Sequence, residues 1–175
     1  MGLLDRLRGV DPSEGWPALF DAPMEYDFDR HALCGIPITA PVADLYRLGR
    51  AEDPRRARKG TLAYYSRGFE IGLEFDRAMD FDLFFTSDWS EAGDGPEAWR
   101  GTARVGGRVF RLDSDTTEEE LTSWLGNPAE REQDEDSIDL RFLRPGGVTY
   151  DFELSTAGTL VHMVVTAEER TRGPG

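Results

Sequence analysis

The chain has 175 residues and a net charge of −14, from 34 acidic against 20 basic side chains. Such a surface repels nucleic acid and anionic lipid, which bind through Lys and Arg that neutralise phosphate, and it speeds encounter with a basic protein. A single cysteine excludes an internal disulfide, no apolar run approaches the roughly 20 residues that cross a bilayer, and ten Phe with four Trp supply the material of a modest core.

Residues 1–25 read as an N-terminal arm, with Trp16, Leu19 and Phe20 as its docking segment. Its first eight residues, Met1 to Arg8, are too short and too charged for a secretory signal, and Arg6 stands where a myristoylation signal carries Ser or Thr. With Cys34 as the lone thiol, the expected location is the reducing cytoplasm.

From residue 26 to 86 a first helix-plus-sheet unit is expected. Tyr26 to Ile38 supplies extended segments, Pro41 to Leu48 a short helix capped by Thr39 and ended by Gly49, and Arg50 to Lys59 a basic linker. Leu62 to Ser66, Phe69 to Phe75 and Phe81 to Thr86 are the strands. In Phe69-Glu70-Ile71-Gly72-Leu73-Glu74-Phe75 the odd positions are apolar, which predicts one buried and one solvated sheet face. Residues 87–98 form an inter-unit loop rich in Ser, Asp, Gly and Pro.

The second unit, 99–167, repeats the plan. Trp99 to Leu112 predicts a hairpin turning at Gly106-Gly107. Asp115-Thr116-Thr117-Glu118 has the form of a capping box, and the helix that follows stops at Gly126 before Pro128. Ala129 to Ser137 is read as an acidic connection, then Ile138 to Leu143, Val148 to Leu154 and Leu160 to Thr166 as an antiparallel meander. Residues 168–175 make a tail without apolar anchors.

Superposing Leu48-Gly49 on Leu125-Gly126 aligns the units. Leu62 and Tyr64 then match Leu140 and Phe142, while Phe69, Ile71, Leu73 and Phe75 match Val148, Tyr150, Phe152 and Leu154; Phe81 falls on Leu160 and Phe85 on Val164. The expected fold is α+β: two tandem helix-plus-meander repeats forming one larger sheet with helices packed on one face.

No catalytic or metal constellation stands out. His31 and His162 are far apart in sequence; His162 is read as structural, His31 as exposed or at a strand edge, and Cys34 as an inert buried thiol. No nucleophile elbow, phosphate loop or dinucleotide fingerprint occurs, and the acids of Glu130 to Asp136 lack the order of a calcium loop. No cofactor or metal is expected. The expected role is a non-catalytic module that binds a basic protein partner, with neither nucleic acid nor membrane involved. Its surface would use Tyr65, Glu70, Glu74, Phe84, Trp89, Trp99, Asp139, Arg141, Asp151 and Glu153. The alternative is small-ligand binding in a groove between the units, lined by Trp89, Trp99 and Tyr65.

A hairpin, a short helix ending in Leu125-Gly126-Asn127-Pro128 and a following meander resemble the repeat of the beta-lactamase inhibitory protein and its relatives. The resemblance implies two tandem units that present a concave sheet to an enzyme, and it carries over no catalytic residue. Those proteins are exported and hold cysteine pairs; here Met1 to Arg8 does not read as a secretory signal and Cys34 is the one cysteine. The implied role is therefore a cytoplasmic, immunity-like inhibitor of a toxin or enzyme domain.

Overall fold

The structure is a computed structural model, and it describes residues 9–18, 22–87 and 95–168. Trp89 and the Leu19–Phe20 pair lie outside the described residues.

The chain is α+β and builds two sheets rather than one. Strands β1 (Glu25–Asp27), β2 (Ala32–Leu33), β3 (Ile36–Pro37), β7 (Gly101–Val105) and β8 (Arg108–Leu112) make a small sheet in the order β3-β2-β1-β7-β8. Here β1 and β7 run parallel, so an early and a late segment share a sheet. The predicted hairpin is present as β7 and β8, with Gly106 and Gly107 both at positive φ as its two-residue turn requires.

Strands β4 (Thr61–Tyr64), β5 (Phe69–Glu74), β6 (Arg77–Phe84), β9 (Glu130–Gln133), β10 (Ser137–Arg144), β11 (Val148–Ser155) and β12 (Leu160–Ala167) form the large sheet. Its order is β4-β5-β6-β12-β11-β10-β9, antiparallel throughout. Alternation puts Leu62, Ile71, Phe81, Val165, Tyr150 and Phe142 on one buried face. The small sheet covers that face, where helices alone had been expected. Tyr26 meets Tyr150 edge-on with centroids 6.0 Å apart, and Phe28 sits 5.2 Å from Tyr150 and 6.4 Å from Phe152. The physical reason is area: the helices are too short to cover six apolar strands, and extended aromatic segments do so instead.

The helices flank the sheets. Glu118–Leu125 buries Leu121 and Leu125, and Trp124 lies 5.1 Å from Phe110. Its capping box is built two residues later than the sequence suggested: Thr117 is the N-cap and Glu120 the third helical residue. Asp115 is instead held in the preceding turn, where its backbone N–H donates to Asp113. The Val42–Leu48 segment is a 3-10 helix, because Val42, Leu45 and Leu48 recur every three residues and stack on one edge. Thr39 does not cap it; Pro41 occupies that position without a side-chain bond.

Two expected linkers carry structure. Asp53 caps a one-turn helix at Pro54–Ala57 within the basic stretch. Residues 130–133 of the acidic connection pair with β10 as an edge strand whose side chains are all exposed. A charged edge strand is stable because it pairs through its backbone, and its charges deter a further strand. The arm is docked through residues 9–18: Ser13 Oγ accepts from the Ala51 N–H, and Trp16 packs on Tyr46.

The alignment that runs without a gap from Phe69 on Val148 to Phe85 on Val164 does not survive the strand register. Phe85 is buried whereas Val164 lies on the opposite, outward face. Phe75 falls at the β5–β6 turn, 54% exposed, although Leu154 is in the core. A bulge at Gly72–Leu73 breaks the alternation just before it.

Candidate functional site

The outward face of the large sheet gathers most of the candidate residues, because each is out of phase with a core residue on its strand. One row across the sheet runs Glu70, Asp82, Val164, Asp151, Arg141 and Glu130. The next runs Phe84, His162, Glu153, Asp139 and Glu132. Glu74 is exposed at the end of β5.

At the β4–β6 side this face forms an open concavity of about 660 Å³, with Arg56, Tyr65, Glu70, Asp80, Asp82 and Phe84 in its wall. Glu70 lies deep and forms an ion pair with Arg56 from the Pro54–Ala57 helix. Burial raises the Glu70 carboxyl above its usual range, against the opposing effects of the Tyr65 hydrogen bond and Arg56. Tyr65 is pushed up to about 12 by burial and by its bond to Glu70. Asp80 is raised to about 6, first by burial and then by the charge of Asp82, while the Gly72 N–H pulls the other way. His162 stacks on Phe84 with centroids 5.0 Å apart, and its Nε2 is 3.3 Å from Asp82.

At the β9–β11 side a smaller hollow of about 240 Å³ has Glu130, Glu132, Asp139, Arg141 and Asp151 in its wall. Arg141 bridges Asp151 at 2.6 Å and Glu130 at 2.9 Å. Asp139 and Glu153 stand directly opposite one another on β10 and β11. Asp139 also faces Glu132, and Glu70 faces Asp82.

Trp99 is not part of this surface. It is 1% exposed and packs edge-on against Phe69 at 5.9 Å, beneath the backbone of Gly68. A groove lined by Trp99 and Tyr65 is therefore absent among the described residues: the indole fills the core instead. Its position just before β7 gave it the look of a loop residue, whereas its backbone N–H bonds to Phe84 O and draws it inward. Glu70, too, is a buried ion-pair partner rather than a presented charge.

Sequence reasoning missed Asp80, Asp82 and Arg56. The alternation Asp80-Phe81-Asp82-Leu83-Phe84 carried a signal for the first two. Cys34 is buried, with burial raising its thiol to about 12, which is the state of an unreactive cysteine. Among the described residues no three His, Cys, Asp or Glu side chains are arranged to hold a metal ion, and no helix is long and apolar enough to cross a membrane.

No protein family's model matches the chain, and no curated protein matches it. Among solved structures it is similar to a DUF4309 family protein, YjgB, from Bacillus subtilis. The identity is 17%, over 72% of this chain and 76% of that one, with a TM-score of 0.43. A likeness that slight carries no argument about function.

Proposed function

We propose that the chain is a non-catalytic protein-binding module whose outward sheet face receives a basic partner, in the manner of an immunity protein that neutralises a toxin or enzyme domain. The observation that supports this reading most is the retention of like charges in directly opposed cross-strand pairs. Glu70 faces Asp82, Asp139 faces Glu153 and Asp139 faces Glu132. Each such pair destabilises a sheet, and departures from local stability rules concentrate at functional surfaces. Glu70 already has Arg56 as its counter-charge, so a cationic partner would relieve chiefly the two repulsions at Asp139, and field lines from the face would speed its approach.

The test uses the protein as bait, with the triple reversal of Asp82, Asp139 and Glu153 to Lys as control. A partner held by the wild type at low salt should be lost near 0.5 M salt, where the Debye length is only about 4 Å, and should be absent from the variant. Capture that is indifferent to salt and to the reversals would sink the electrostatic reading.

The two meanders also support an internal duplication, in a register that differs from the gapless one. Pairing Leu62, Ile71 and Phe81 with Leu140, Phe152 and Met163 turns each cross-strand pairing of one meander into one of the other. Phe81–Val165 and Leu83–Met163 at the centre then exchange. If the positions are equivalent, Ile71→Phe with Phe81→Met should cost less than about 1.5 kcal/mol, as volume-conserving core swaps do. A cost well above that, measured by urea unfolding, would count against the duplication.

A further inference from the structure

We propose that the mouth between the two sheets, beside the β5–β6 turn, is a binding site for a small monocarboxylic acid with an apolar tail. This site is separate from the acidic face and does not depend on the role proposed for it.

The mouth is a groove of about 520 Å³, within the range of small-molecule sites. Met79 and Val148, from the inward face of the large sheet, and Ile38 are its buried apolar lining. An apolar tail laid there would complete the sandwich core.

The backbone is strained around this groove. His31, Thr39 and Phe75, with φ of 51°, 67° and 49°, all line it, and Asp76 at 58° is the next residue. A side chain in the left-handed region costs roughly 1–2 kcal/mol. The Phe75-Asp76 turn stands where Asn-Gly would be the comfortable choice. Phe75 nevertheless keeps a half-exposed ring at the groove. Strain of this kind gathers at ligand clamps.

Charge selects the head group. Among the described residues that line it, Arg30 and Arg77 bring two guanidiniums against the carboxylate of Glu168, in a chain of net charge −14. Arg77 is aimed by its bond to the Thr39 carbonyl at 2.6 Å, and the Arg30 side chain is 82% exposed, held only loosely at 3.9 Å from Asp27. His31 offers a further polar contact; its ring is anchored from below by a hydrogen bond between Nδ1 and the Tyr150 hydroxyl. Burial and Arg144 lower its pKa, so the ring contributes a hydrogen-bonding contact rather than a charge, and the two guanidiniums carry the attraction for a carboxylate.

The experiment is an octanoate titration of protein carrying ¹³C-methyl methionine, read by NMR, with octanol as the uncharged control. Met79 should shift and saturate at millimolar octanoate, while the wholly buried Met163 should not. Octanol should bind more weakly. Arg30→Gln with Arg77→Gln should weaken octanoate about tenfold, the loss of one charge-assisted contact, and leave octanol unchanged. Phe75→Gly should raise the melting temperature by removing the strain and weaken both ligands. No saturable shift at Met79, equal binding of octanoate and octanol, or indifference to both sets of substitutions would overturn the proposal.

Discussion

The Asp80 carboxylate lies over Gly72, its cross-strand partner, in the space that a side chain at position 72 would fill. A glycine inside a strand marks such a close approach, and here it lets a carboxylate sink beside Asp82. Burial and Asp82 raise Asp80 to about 6, whereas an unfolded Asp titrates near 3.9. Between about pH 4 and 6 the folded protein keeps a proton that the unfolded chain releases, so stability falls as pH rises through that window. Asp80→Asn should therefore stabilise the protein at pH 7 by about 1 kcal/mol, allowing for solvent screening. The gain should vanish near pH 4, which urea titrations at the two pH values would check.

Arg56 and Glu70 make the opposite prediction. The Glu70 side chain is 6% exposed and that of Arg56 47%. Arg56→Ala leaves a buried carboxylate with Tyr65 as its hydrogen-bond partner and Asp82 opposite it, and should cost about 2 kcal/mol at pH 7, less than a fully buried pair would. Glu70 titrates above its usual range because of burial. Lowering the pH through that range protonates it, and the penalty of Arg56→Ala should shrink. A double-mutant cycle with Glu70→Gln, run on both sides of the titration, would isolate the pair.

The strands of the large sheet were legible because period-two alternation is written into each of them, as in Phe69 to Leu73 and Val148 to Leu154. Phe75 was misplaced because a bulge at Gly72–Leu73 depends on the partner strand, which alternation does not specify. Residues 130–133 were missed for a similar reason: an exposed edge strand needs no apolar face, only a neighbour with free backbone groups. The parallel pairing of β1 with β7 joins Tyr26 to Ala103, distant in sequence, and no local signal marks it. The acidic face was therefore readable from strands already recognised. The groove at Phe75 was not, since its residues come from five separated segments.

Gly68 offers a packing test of the corrected Trp99 assignment. Its φ is +75°, and an added Cβ would meet the backbone of Trp99 and Glu97, neither of which can swing aside. Gly68→Ala should cost about 3 kcal/mol, from left-handed strain and displacement of the buried indole together. The Trp99 contribution to the near-ultraviolet circular dichroism should change with it. A wild-type melting curve for Gly68→Ala would contradict the placement of Trp99.

Glu153 separates stability from binding on the acidic face. It sits between Asp139 on β10 and His162 on β12, so its carboxylate opposes one like charge directly. Glu153→Lys places an ammonium opposite Asp139 and should stabilise the fold by up to about 0.5 kcal/mol. If the face binds a basic partner, the same substitution should slow association several-fold at low salt, with the difference fading as salt screens it. A side chain kept only for the fold would give neither the gain in stability nor the loss of association. Stopped-flow rates at two ionic strengths, set beside urea midpoints for the same protein, read both quantities. A faster or unchanged association rate would remove Glu153 from the binding surface whatever its effect on the fold.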